Sequence, residues 1–172
     1  MRKGYHFEHE IEELFLKLAG QTRDIPLINR CFRVPASGSL RGLKGDIYTN
    51  VPFLKKQFLI ECKARKVKKA FYVKREWLTK LEEEAKDTGH VPLLAISFKG
   101  AKKDRIFFFI KKKDYSELFG TEVKTSLRIP FKKKSYILER PVSSFSECNG
   151  WIILSKDTFF RLLNELICLR QT

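Results

Sequence analysis

Hydrophobic positions between residues 5 and 19 recur at helical spacing. Phe7, Ile11, Leu14, Phe15 and Leu18 fall on one face, and Gly20 supplies a stop. This predicts an amphipathic helix, with Glu8 and Glu12 four positions apart on its flank. The period then changes. Residues 31–34 read as a short strand, and Pro35-Ala36-Ser37-Gly38-Ser39 favours irregular backbone. Arg41-Gly42-Leu43-Lys44-Gly45 continues that loop into a strand at 46–49. Residues 57–63 are mostly apolar and then abruptly charged, as expected for a central strand whose end reaches a site. A second helix is predicted over 75–87, with Trp77, Leu78, Leu81 and Ala85 as its apolar stripe and Gly89 as its terminator. Residues 91–98 and 106–110 read as a strand pair across a basic turn. Beyond about residue 112 the pattern suggests strands around Lys132-Lys133-Lys134, one more at 151–154, and a closing helix at 157–169.

Together these elements predict an α/β protein, one central mixed β-sheet flanked by helices. No repeat or low-complexity linker divides the chain. Residues 1–112 are expected to hold the core, and 113–172 an extension of strands plus closing helix packed on the same domain.

Charge changes the picture most. A formal net charge of +15 predicts a polyanionic partner. The basic residues lie between apolar strands and not along one helix face, which favours nucleic acid over a membrane surface. Residues 63–75 carry Lys63, Arg65, Lys66, Lys68, Lys69, Lys74 and Arg75 with no acid among them and with Phe71 and Tyr72 interleaved. That run is the candidate phosphate-contact surface. Lys132 to Lys134 either extends it or aids solubility.

Other features exclude alternatives. No apolar stretch is long enough to span a bilayer, and residues 1–10 lack a signal-peptide core, so a cytoplasmic, nucleoid-associated protein is expected. Cys31, Cys62, Cys148 and Cys168 lack zinc-site spacing and are expected to be reduced, mostly buried thiols. Neither a P-loop nor a dinucleotide fingerprint occurs, so no small-molecule cofactor is expected.

The chemistry concentrates at Asp46 and at Glu61-Cys62-Lys63. Side chains alternate along a strand, so Glu61 and Lys63 share a side while Cys62 faces the opposite packing layer. If the two strands pair, Asp46 and Glu61 converge on one divalent cation with Lys63 beside them, and Glu8 adds a carboxylate directly or through water. Hard oxygen ligands hold Mg²⁺, and an ammonium orients the attacking water or stabilises the growing phosphorane-like charge. The bare Glu-x-Lys pattern also occurs at Glu84-Ala85-Lys86, within the predicted second helix where i and i+2 do not share a face, and at Glu122-Val123-Lys124, which has no apolar strand before it. From spacing alone, catalysis and an edge-of-strand ion pair stand level.

The residues also carry a resemblance. Arg2-Lys3-Gly4 with Glu8, the Arg33…Ser37-Gly38-Ser39 loop, Gly45-Asp46, Glu61-Cys62-Lys63, Tyr72 to Glu76 and His90 to Ile96 resemble, in order, archaeal-type Holliday junction resolvases of the PD-(D/E)xK nuclease superfamily. The likeness runs to about residue 112. It implies a restriction-endonuclease-like fold and a homodimer making paired Mg²⁺-dependent nicks in four-way junctions, with Mn²⁺ as a substitute. It further implies metal-binding acids at Asp46 and Glu61, a helix-borne acid at Glu8, a catalytic Lys63, and DNA contacts from Arg33 and Ser39. His9 stands where the family often has Arg, and the chain after residue 112 is longer than the family leads one to expect. Two other functions compete: a restriction- or repair-type nuclease on linear duplex, and a non-catalytic DNA-binding module.

Overall fold

The computed structural model describes residues 4–35 and 43–172. Helix α1 (Tyr5–Ala19) ends as its sequence directs, with Gly20 in the left-handed region accepting the turn that closes the helix. Two short strands follow, β1 (Phe32–Arg33) and β2 (Ile47–Tyr48), then the long β3 (Phe58–Arg65) and β4 (Ala70–Lys74). Helix α2 (Arg75–Thr88) leads to β5 (Val91–Phe98), β6 (Ile106–Lys111) and α3 (Lys112–Phe119). A hairpin of β7 (Phe131–Lys132) and β8 (Ser135–Glu139) precedes β9 (Ser146–Cys148), β10 (Trp151–Ser155) and α4 (Lys156–Gln171).

Among the described residues, seven strands form one mixed sheet in the order β1-β2-β3-β5-β6-β10-β9. The β3–β5 pair is parallel, with α2 in the connection between them, and the other pairs are antiparallel. A parallel pair needs such a crossover, and it covers the sheet face it passes. Every residue of β5 is accordingly buried. On one face, α1 and α4 bring Phe7, Phe15 and Phe159 against Phe58, Ile60 and Phe108. On the other, α2 and a small sheet ordered β4-β8-β7 cover Leu59, Leu94, Ile96 and Phe109. The α/β expectation holds, and residues beyond 112 supply strands to both sheets.

Several local expectations need correction. The end of the 63–75 run is a strand, β4, and its Phe71 is fully buried against Phe98, so only Tyr72 of that aromatic pair is exposed. Helix α3 and strand β9 had no clear pattern of their own, being short. Leu14 and Leu18 are only partly buried, because Leu16 faces the core on that turn. Trp77 is only partly buried, packed against the core on the α2 face. The thiols are all free; Cys31 and Cys148 are buried, Cys62 is partly buried and Cys168 is exposed.

Candidate active site

The site begins with a glycine. Gly45 has φ of +71°, and a Cβ there would lie 2.6 Å from a Leu59 methyl. Only glycine lets the chain turn this close to β3. The turn delivers Asp46 to the strand: its N–H donates to the Ile60 carbonyl at 2.9 Å, and Val34 N–H donates to its own carbonyl at 2.8 Å. Antiparallel pairing sets Ile47 opposite Ile60, which places Asp46 next to Glu61. The Cys62 N–H then donates to Asp46 Oδ2 at 2.7 Å.

Along β3 the alternation holds. Lys63 Nζ donates to Glu61 Oε1 at 2.5 Å, so the two lie on the same side, while Cys62 packs toward the α1 and α4 layer. Asp46, Lys63 and Glu8 line one cavity of about 620 Å³ together with Gly4, Lys66 and Lys99. Glu61 adjoins it through its bond to Lys63. Among the described residues, no three His, Cys, Asp or Glu side chains are gathered closely enough to form a ready-made metal cluster.

Electrostatics single out Asp46. Burial pushes its carboxyl up to about 7, the Glu61 and Glu8 charges add to the rise, and the Cys62 N–H and Lys63 oppose it. Cys62 also lines the cavity, but a carboxyl held against its own ionisation beside two further acids suits a hard divalent cation. On these residues, Asp46 and Glu61 would hold the metal, with Glu8 nearest among the remaining acids. The sign for stability follows. A carboxyl raised in the fold destabilises the metal-free protein increasingly as pH climbs from the ordinary 3.8 to about 7, and by a constant amount above. Asp46→Asn keeps an acceptor for Cys62 N–H and removes the charge. Thermal melts in EDTA at pH 8 are expected to rise by a few degrees, about 2–4 °C per kcal/mol gained. An unchanged or lower melting temperature would mean Asp46 is not electrostatically strained.

The position has a topological reason. β3 and β5 run parallel, and their carboxyl ends open together: Lys99 N–H donates to the Arg65 carbonyl at 2.9 Å. Crevices at such strand ends are where open α/β sheets bind ligands. Lys99 is a site-lining residue the sequence reading missed, because it reads simply as the first residue of a basic turn.

The remaining candidates separate into groups. Arg65 and Lys74 stand over the Trp77 ring at 5.3 and 5.9 Å, with Lys63 Nζ at 5.4 Å from the same ring. Trp77 thus joins three cations by their shared attraction to one aromatic ring. Lys66 lines the Asp46 cavity, and Lys68 lines an adjoining one with His6 and Lys99. Lys69 is exposed, its carbonyl accepting from Arg140 N–H at 2.8 Å. Arg75 lies farther along, 6.0 Å over the Phe131 ring. Arg33 is engaged within the protein: its Nε donates to Glu12 Oε2 at 3.1 Å and its guanidinium sits 4.3 Å over Tyr5. Ser39 lies outside the described residues, as do Ser37, Gly38, Arg2 and Lys3. Glu12, read as a flank residue, is buried under Arg23, Arg30 and Arg33.

An acid at a strand start facing Glu-x-Lys on its neighbour is the arrangement that names a nuclease superfamily. The family described as "Phage putative PDDEXK endonuclease" matches residues 1–154. The chain belongs to this family. No curated protein matches the endonuclease by sequence. Among solved structures, Hjc of Archaeoglobus fulgidus, a Holliday junction resolvase from an archaeal hyperthermophile, is similar with a TM-score of 0.50. Identity is 17%, covering 80% of this endonuclease and 87% of that chain. At that identity the likeness establishes the restriction-endonuclease-like fold and nothing finer. No helix among the described residues is long and apolar enough to cross a membrane.

Proposed function

We propose that the protein resolves four-way DNA junctions by paired, Mg²⁺-dependent nicks, acting as a homodimer with one active site per copy. The observation that carries the reading is the apposition of Asp46 with Glu61 and Lys63, which run from the middle of β3 toward its carboxyl end, beside a run of cations. Asp46 and Glu61 would hold the cation, and Glu8, which lines the same cavity as Asp46, would add a further carboxylate. A divalent cation bound there supplies Lewis-acid polarisation of the phosphate and a more acidic water. Lys63 orients that water or meets the charge growing on the phosphate. Arg65, Lys66, Lys68, Lys69, Lys74 and Arg75 grip the DNA backbone, Ser39 is a further proposed contact, and Arg33 is held by Glu12. Backbone contacts read shape and not base identity, which suits a substrate recognised by its branching. The four-way junction is carried into this proposal from the Holliday junction resolvase whose fold the chain shares.

The test is a labelled immobile four-way junction beside a linear duplex of matched sequence, with Mg²⁺, Mn²⁺ or EDTA and with Asp46→Asn as control. Symmetric paired nicks confined to the junction, needing both metal and Asp46, are expected. Equal cutting of both substrates would leave a restriction- or repair-type nuclease. Binding without cutting in any divalent metal would leave a DNA-binding module.

A further inference from the structure

Away from the Asp46 cavity, α2 and the β7–β8 hairpin enclose a groove of about 750 Å³. Lys74, Arg75, Lys80, Lys133 and Lys134 line it against only two carboxylates, Glu76 and Glu83. Phe131 lies in the same wall with half its surface exposed, under the Arg75 guanidinium. The groove is preformed, since Arg75 N–H donates to the Lys134 carbonyl at 3.0 Å and ties the hairpin tip to α2. Trp77 links it to the active site. Lys74 lines the groove and shares the Trp77 ring with Lys63.

The hairpin tip breaks a local rule. Lys132 pairs with Ser135, so the loop has two residues, and Lys133 and Lys134 have φ of +50° and +65°. Two-residue turns with both φ positive favour Asn-Gly or Asp-Gly, because a Cβ crowds the following carbonyl. Here two lysines occupy both places, at a cost in turn stability that places two ammonium groups on the rim of the groove. Local rules are broken most often where function requires it.

We infer that this groove is a second nucleic-acid site, taking an unpaired or splayed nucleotide of the strand that enters the Asp46–Lys63 site. Its base stacks on Phe131, and Arg75, Lys133 and Lys134 hold the flanking phosphates. A duplex already stacks its base faces on one another, so an exposed phenyl ring gains most from a base whose face is free. The inference rests on the nuclease reading for the identity of the strand, but its binding arm is separable from catalysis.

The experiment uses the full chain in EDTA, with fluorescence anisotropy of a labelled oligothymidylate and of a duplex of equal length. Phe131→Ala is expected to weaken single-strand binding about tenfold and duplex binding less than about twofold. Lys133→Asn with Lys134→Gly is expected to raise the melting temperature, since the turn prefers those residues. The same pair should weaken single-strand binding and flatten its log–log salt dependence by about 1.4, two phosphate contacts. Lys17→Gln with Lys113→Gln, on α1 and α3, removes equal charge and is expected to change neither. If the turn variant melts higher yet binds like that control, or Phe131→Ala weakens both DNAs alike or neither, the proposal is overturned. Loss of single-strand binding in a chain that cuts nothing with any divalent metal would sink the nuclease reading alone and leave the groove as a binding site.

Discussion

Glu61→Gln is expected to lower DNA cleavage by about a thousandfold and to weaken Mg²⁺ binding, whereas Lys63→Met lowers cleavage about as far and leaves Mg²⁺ binding equal or tighter. The contrast follows from the 2.5 Å contact between Lys63 Nζ and Glu61 Oε1. Glu61 is a proposed ligand, so its amide loses charge where the cation needs it. Lys63 competes with the cation for the same oxygen, so removing it frees a ligand while deleting the group that meets the reacting phosphate. Despite burial that opposes its charge, Glu61 and Asp46 raise the Lys63 pKa, so the ammonium persists at every working pH. Isothermal titration with Mg²⁺ and single-turnover cleavage read the two effects separately. If Lys63→Met lost metal binding as well, the lysine would be holding the site together and not acting on substrate. If both variants cut like the parent, the constellation would be an ion pair and nothing more.

Glu12→Ala is expected to cost about 3–5 kcal/mol, the usual result of removing one partner from a buried charge cluster. For a chain of this size that lowers the melting temperature by on the order of 10 °C. The Glu12 side chain is only 4% exposed, and three guanidiniums converge on it. Arg23 Nη2 and Arg33 Nε reach Oε2 at 3.1 Å, and Arg30 Nη1 reaches Oε1 at 3.3 Å. Arg30 is itself 10% exposed, so the alanine leaves a cation in the interior with only carbonyl partners. Glu12→Gln retains an acceptor and should cost less. Glu13, whose partner Arg23 is exposed, should tolerate alanine within about 0.5 kcal/mol.

The same cluster fixes a pH dependence. Burial resists ionisation of Glu12, but the hydrogen bonds and charges of Arg23 and Arg33 more than offset it and hold the carboxyl below its ordinary 4.5. A depressed acid stabilises the fold above its unfolded pKa, and that contribution is lost as pH falls through the folded value. Denaturant midpoints should therefore drop below about pH 4.5 in the parent and drop less in Glu12→Gln. Parallel pH profiles would show Glu12 carries no such linkage.

Much of the architecture was legible because it is written in short-range patterns. Helix α1 was expected over the residues it occupies, since its period and its Gly20 stop are local. The same holds for β5 and β6, whose unbroken apolar runs suit strands covered on both faces. Helix α3 and strand β9 escaped because eight and three residues carry too little periodicity to separate from loop. Trp77 is only partly buried for a different reason. Its spacing matches the apolar stripe of α2, and spacing does not reveal that Lys63, Arg65 and Lys74 gather over it from other elements.

The sequence by itself determined the chemistry on offer: a glycine-led aspartate, a Glu-x-Lys strand end, and a large excess of cations. Residue type and alternation along one strand are enough for that, because they depend on near neighbours. Only the tertiary structure decided which of those charges meet. Pairing of β2 with β3 set Asp46 beside Glu61, the parallel β3–β5 edge brought Lys99 to the same cavity, and the fold turned Glu12 inward onto arginines from three later positions. Those partners lie 11 to 21 residues away or farther, and the burial that raises Asp46 and the arginine contacts that lower Glu12 exist only once the layers have closed.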